Sequence, residues 1–318
     1  MTASRSAMVK PAALRLGATL AVLSPASTPK ADLVHQGISR LQALGYRTVL
    51  GKHALDRGPL YYAGTLEQRL EDLHAAFADP SIDGILCTRG GWGSAELLPF
   101  LDAALIRANP KVFVAYSDHT ALHGWLHSEA NLVTFHGPMV AADFAREDGI
   151  DLASWRHSVG GDAAWSLGAG DGLRALRGGV AEGTLQGGCL SILVEALGTP
   201  FAARIADSIL FLEDIGTKAY QWDRMLLHLR YAGVLKEARG IVFGDMRQCV
   251  TAAENDYLER AILHSLRDFD GPIAIGLRSG HVGTPNVTLP LGIAVKLDLA
   301  EAGNPRMHFL DSAVVANL

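Results

Sequence analysis

Val112-Phe113-Val114-Ala115-Tyr116-Ser117-Asp118-His119-Thr120-Ala121-Leu122 is the stretch on which the reading of this chain turns. A short β-branched and aromatic run stops at Ser117, and the next residues take a helical period, with Leu122, Trp125 and Leu126 on one face. A serine at such a junction stands at the carboxyl end of a strand. The free N–H groups of the new helix then point at whatever the serine attacks. That is the geometry of a nucleophile elbow, although the G-x-S-x-G spelling is absent. A second reading stays open on this segment alone, namely that Ser117, Asp118 or Thr120 only caps the helix.

Working outward toward the N-terminus, the same alternation repeats. Leu16 to Leu23 is an apolar run, and Ala31 to Leu44 carries Val34, Ile38, Leu41 and Leu44 at helical spacing before Gly45 stops it. Tyr46 to Leu50 is a second strand, and Thr65-x-x-Gln68 is a capping box opening a helix with Leu66, Leu70, Leu73 and Phe77 on one face. Ile82 to Cys87 is a third strand, followed by a Gly-rich loop and a helix through Leu97, Leu98 and Leu101; Lys111 to Ala115 is the fourth. Repeated βα units imply an α/β domain of the flavodoxin or Rossmann class, with a parallel sheet covered by helices. In such sheets the site lies beyond the carboxyl ends of the strands, where the Gly-rich loop and Ser117 both fall.

From Asp143 to Gly172 the rhythm fails and glycines accumulate. We therefore expect an α/β domain over 1–150, a linker over 151–175, and a smaller β-rich domain over 176–318 with strands at Ile209 to Leu212, Gly240 to Phe243, Ile273 to Gly276 and Ala294 to Leu299.

Composition narrows the function classes. The 318 residues carry a formal net charge of −5 and no basic run, which argues against nucleic acid or an anionic membrane as the partner. Cys87, Cys189 and Cys249 are odd in number and form no CxxC pair, so neither a disulfide framework nor a zinc ribbon is expected. Lys10 and Arg15 ahead of Leu16 to Leu23 have the look of a short signal peptide, but the following βα rhythm needs this run as its first strand. No stretch reaches the roughly 18 apolar residues of a membrane span. The cytoplasm is the expected location.

Three further segments can carry chemistry. Thr88-Arg89-Gly90-Gly91-Trp92-Gly93-Ser94 follows a buried strand without either phosphate-loop spacing, and its glycines let backbone amides come close to a reacting carbonyl. A plain tight turn fits the same residues. Leu212-Glu213-Asp214 sets two carboxylates at a strand end, where one can orient a histidine. Ser279-Gly280-His281-Val282-Gly283 presents a histidine between glycines, as suits a general base or an ordinary surface turn. His119, His123 and His127 recur at i, i+4 and i+8, with His136 beyond. A straight row cannot converge on one ion, and no H-E-x-x-H glutamate intervenes, so no metal or other cofactor is expected.

Together these motifs resemble the LD-carboxypeptidase (muramoyl-tetrapeptide carboxypeptidase) family of serine peptidases, family S66. The matching pieces are Ser24-Pro25, Ala63-Gly64-Thr65 with Arg69 and Asp72-Leu73, Arg89 to Ser94, Tyr116 to Thr120, His136-Gly137-Pro138-Met139, Gly187 to Ser191, Leu212-Glu213-Asp214 with Asp223-Arg224-Met225, and Gly280-His281 with Leu289 to Gly292. The resemblance implies a Ser117–His281–Glu213 triad, with the serine on the α/β domain and its partners on the β-rich, swivelling-type domain. It implies oxyanion donors at Asp118 and Gly91, and a murein-derived peptide substrate met by Arg89, Gly90 and Trp92. The implied reaction releases terminal D-alanine from murein tetrapeptide during wall recycling, through an acyl-enzyme; a homodimer is the expected assembly. Two departures stand out: Ala115 where the family usually has glycine, and Cys189 where asparagine is common. A neighbouring branch resembles the microcin C immunity peptidases, which cleave aminoacyl-nucleotide conjugates and need an aromatic platform such as Trp92 or Trp222. A non-enzymatic small-ligand binder is the remaining alternative. It has no use for a histidine and a carboxylate beside Ser117, so their distance decides.

Overall fold

The structure, a computed structural model, describes residues 8–162 and 164–316. Five parallel strands, β1 (Thr19–Leu23), β2 (Arg47–Leu50), β3 (Gly84–Cys87), β4 (Val112–Ala115) and β5 (Thr134–His136), form the N-terminal sheet in the order β5-β4-β3-β1-β2. Of the run that looked like a signal peptide, Thr19 to Leu23 is an inner strand, buried along its whole length, and Leu16 and Gly17 form an exposed turn ahead of it. Successive residues of the central strands feed opposite cores: Leu20, Val22, Leu86, Val112 and Val114 on one face, Ala21, Leu23, Ile85, Cys87, Phe113 and Ala115 on the other. Helices cover both faces, which is why these strands read as continuous apolar runs rather than alternating ones.

The Thr65–Gln68 capping box forms as its sequence dictates and starts the helix Leu66–Ala78. The helix expected through Leu101 is instead two pieces. A short turn of helix, Ser94–Leu97, ends in a tighter turn containing Pro99, and Asp102 then caps a new helix, Ala103–Ala108. Proline stiffens the first piece and the aspartate side chain supplies the second start.

The second sheet has eight strands: β6 (Trp165–Gly168), β7 (Arg174–Arg177), β8 (Val180–Cys189), β9 (Ser208–Glu213), β10 (Ala238–Gly244), β11 (Ile273–Leu277), β13 (Ala294–Asp298) and β14 (Arg306–Phe309), in the order β6-β14-β13-β8-β9-β10-β11-β7. Its centre, β8-β9-β10-β11, is parallel and its flanks are antiparallel. The stretch 151–175, expected as a linker, is structured. Asp151 caps the helix Leu152–Gly160, β6 follows, and Gly161 and Gly172 end their turns with left-handed backbone. Those glycines marked tight turns between ordered elements rather than a flexible connection.

Two features lock the sheets together. β12 (Leu289–Leu291) crosses back and adds antiparallel to β5 at the edge of the first sheet. One apolar cluster also runs from Val22, Val114 and Phe135 through Leu289 and Leu291 to Leu185, Phe211 and Val242 of the second sheet. The segment between β11 and β12 is therefore anchored to one sheet at each end, and it carries His281.

Candidate active site

Ser117 follows β4 after one residue, Tyr116, and has φ of +66°, a left-handed conformation that a non-glycine residue adopts only when its surroundings impose it. The turn Ser117–His119 leads into the helix Thr120–Ser128. The strained backbone lifts the hydroxyl off the sheet, as in a nucleophile elbow. Glu213 is the last residue of β9, and His281 lies in the loop after β11.

These three residues meet. The Ser117 hydroxyl lies 3.0 Å from His281 Nε2, and His281 Nδ1 lies 2.7 Å from Glu213 Oε2, which also accepts the His281 backbone N–H at 3.0 Å. Burial alone would raise the Glu213 carboxyl, but His281 and His136 outweigh it and hold the group far below the usual carboxylate range. Burial alone would lower His281, yet Glu213 first, then Asp214 and Asp143, bring it above the ordinary histidine value.

The loop around His281 is built for this contact. Gly280 has φ of +91°, and a Cβ there would fall 2.5 Å from the Glu213 carboxyl carbon, so only glycine lets the backbone press on the acid. The Asn286 side chain brackets Gly280, accepting its N–H and donating to its carbonyl. The Val282 carbonyl accepts from Arg146 and from Arg247, one guanidinium from each side of the cleft.

Across from the histidine, Gly90 abuts the serine: a Cβ on Gly90 would sit 2.8 Å from Ser117 Oγ and 3.2 Å from the Asp118 backbone nitrogen. The hydrogen-bonding of the histidine row explains how this loop is held. His119 donates from Nε2 to the Arg89 carbonyl and bonds Ser94 Oγ through Nδ1, while Asp118 Oδ2 accepts the Ser94 N–H. His123 donates to the Ala115 carbonyl and shares Thr134 Oγ1 with His127, which reaches Gln186 of β8. These side chains are committed to bracing the elbow and its loop.

A cavity of about 250 Å³ opens over Ser117 and His281, walled by Arg89, Gly90, Gly91 and Tyr116, with Met139, Ala141 and Leu33 as its apolar part. Lys30 stands on its rim. Sequence reasoning missed Lys30, since an exposed lysine ahead of a helix carries no signal. It named His136, which is buried beside Glu213, without a role, and missed Asp143, which ion-pairs with Arg146 and accepts the Met139 N–H. Trp92 is half-buried outside this wall, with its backbone N–H on Ser27 Oγ. Trp222 is a core residue against Phe243 with no exposure, and so cannot serve as a platform for a base.

Residues 20–137 match the LD-carboxypeptidase N-terminal domain and residues 182–297 the LD-carboxypeptidase C-terminal domain. The chain belongs to the LD-carboxypeptidase family of serine peptidases. A Bacillus subtilis protein named "Probable murein peptide carboxypeptidase" is 37% identical over 296 residues, 92% of each chain. Among solved structures, an MccF-like protein from Bacillus anthracis superposes with a TM-score of 0.87 at 26% identity, covering 95% of this chain and 99% of that one. Muramoyltetrapeptide carboxypeptidase from Oxalobacter formigenes gives 0.80 at 29% identity, covering 92% and 99%. This chain is accordingly a peptidase with carboxypeptidase activity, with a parallel-sheet N-terminal part and a β-rich C-terminal part. Of the two departures from the family pattern, Ala115 is accommodated inside the sheet, its carbonyl held by His123. Cys189 is buried with its N–H on Thr120 Oγ1, and burial pushes its thiol up, so it is not poised as a rival nucleophile. Among the described residues no helix is long and apolar enough to cross a membrane.

Proposed function

We propose that this carboxypeptidase cleaves the L,D-peptide bond that releases terminal D-alanine from murein tetrapeptide. Ser117 is its nucleophile, His281 its general base and Glu213 the residue that orients and stabilises the imidazolium. The observation that carries the reading is the continuous Ser117–His281–Glu213 hydrogen-bond line beside a small cavity edged by two cations. Ser117 would pass its proton to Nε2 as it attacks the carbonyl carbon. His281 would then return that proton to the leaving amine, and water would release the acyl-enzyme by the same route in reverse. The N–H groups of Asp118 and Gly91 are the proposed oxyanion donors. Arg89, whose planar fork suits a carboxylate, would take the free carboxylate of the leaving residue with Lys30 beside it, and the methyl would rest on the apolar wall. Support for a murein peptide comes from the names of the relatives above. We place the reaction in cytoplasmic wall recycling.

Incubation with murein tetrapeptide should release free D-alanine. A triad fixes one line of attack, and misplacing the carbonyl by about 1 Å costs roughly 10²-fold. All-L tetrapeptides and peptides ending in D-Ala-D-Ala should therefore be much poorer substrates. Amidating the terminal carboxylate should raise KM, lower kcat, or both. Comparable turnover of the all-L or amidated peptide would sink the assignment, and turnover of an aminoacyl-nucleotide conjugate alone would move the protein to the immunity-peptidase branch.

The pH profile follows from His281. Attack needs the neutral imidazole, and its neighbours raise it above the ordinary histidine value of about 6.5. The kcat/KM profile should therefore fall with decreasing pH along a limb centred above about 6.5, since this parameter reports the free enzyme. A limb centred well below that value, in a titration of kcat/KM against pH, would contradict His281 as the base.

A further inference from the structure

His136 is fully buried where the two sheets meet. Its backbone pairs with Ala115 of β4 on one side and with Leu289 of β12 on the other, and its ring packs edge-on against Phe211 of β9 at 5.1 Å. Nδ1 lies 3.3 Å from Ser279 Oγ, and Nε2 faces Glu213 Oε1 at 3.7 Å. These last two atoms are both buried, and among the described residues neither has a hydrogen-bond partner. The other oxygen of Glu213 already takes two N–H groups from His281.

A carboxylate with no exposure does not leave one oxygen bare while a histidine nitrogen sits opposite it, equally bare. The lone pair of an unprotonated Nε2 would repel Oε1, whereas a proton on Nε2 satisfies both atoms. The ring then accepts the single Ser279 O–H at Nδ1, which turns that proton away from the Val287 carbonyl 2.8 Å from the same oxygen. We propose that His136 is a positioning residue for the peptidase reaction: its Nε2–H donates to Glu213 Oε1 and sets the rotation of the carboxylate that aims His281 at Ser117. The inference rests on the triad reading above. Hydrogen bonds in catalytic sites are often long before substrate binds and shorten in the loaded enzyme, consistent with the 3.7 Å separation.

His136 is not part of the cavity wall, so losing it should affect kcat rather than KM. The groups facing this pair are His123 and Tyr116 beside His136, His281, Asp245, Cys189 and Cys249 around Glu213, with Asp214 and Asp143 toward His281. With no donor on Oε1, more of the Glu213 charge is felt by His281, and the acidic limb of kcat/KM should move to higher pH. His136→Leu should lower kcat by about 10- to 100-fold with KM little changed and shift that limb upward. His136→Gln, whose amide N–H can reach the same oxygen, should recover most of the rate and return the limb. A Leu variant with wild-type kcat and limb, or Leu and Gln variants equally impaired with the limb unmoved, would overturn the proposal. Nitrogen-15 NMR of the wild-type enzyme gives a reading independent of how the variants fold: a protonated Nε2 on His136 is expected, and a bare one overturns the bond. Ser117→Ala measured alongside separates the two claims. Retained activity there defeats the triad reading, and the NMR result still decides His136. An inactive Ser117→Ala with an unaffected His136→Leu defeats the positioning role alone.

Discussion

Replacing Ser117 or His281 by alanine should lower kcat by on the order of 10³-fold or more, and the double variant should be little worse than either single one. The reason is geometric. The serine is an ordinary weak nucleophile until Nε2, 3.0 Å away, accepts its proton, and the imidazolium so formed is stabilised by Glu213 at 2.7 Å. Each member is useless without the next, so the losses cannot add. The residual rate would come from the oxyanion donors and substrate binding, which neither substitution touches. Steady-state kinetics on murein tetrapeptide for the two single variants and the double one make the test. Multiplicative losses would show that Ser117 and His281 act independently and would dismantle the proposed triad.

Gly90→Ala is expected to cost nearly as much, about 10²- to 10³-fold in kcat, the scale of losing an oxyanion donor. No backbone strain is involved. The added methyl would lie 2.8 Å from Ser117 Oγ and 3.2 Å from the Asp118 nitrogen, in the space a tetrahedral oxygen needs between hydroxyl and N–H. The loop cannot retreat, because His119 grips the Arg89 carbonyl and Asp118 grips the Ser94 N–H. The methyl would also fall 2.7 Å from Ser117 Cβ, so the elbow or the loop must shift and the thermal midpoint should drop modestly. An alanine variant with near wild-type kcat would mean that the carbonyl does not bind between Gly90 and the elbow. A loss of the cooperative thermal transition would instead reveal a misfolded loop.

The N-terminal fold was largely legible because its signals are local. Apolar runs of strand length, the Thr65–Gln68 box and the stop at Gly45 each act within a few residues, and the structure has β1 to β4 and the helices after β1, β2 and β4 at those places. The second half was less legible. Only part of its eight-stranded sheet could be read, since β6, β7 and β14 are just four residues long and β8 carries Gly183, Gly187 and Gly188, which weaken a strand signal. The glycines of 151–175 were misleading for a related reason: a glycine that ends a helix and one that loosens a linker look alike in a sequence. His119 illustrates the same limit at the site, where its spacing invites thoughts of a metal and its hydrogen bonds show a brace for the Arg89–Gly90 loop.

By itself the sequence determined the βα alternation and the serine near the end of β4, because residue type and short-range spacing settle those matters, while the carboxylate and histidine that join it were named only through the family resemblance. Tertiary structure alone decided that these residues meet. Ser117 and His281 stand 164 positions apart, and their 3.0 Å contact exists because β11 and β12 pin the histidine loop to different sheets that share one apolar core. The left-handed turn at Ser117, the closeness of Gly90 and the burial of His136 against Glu213 likewise depend on packing between distant segments, which no local pattern encodes.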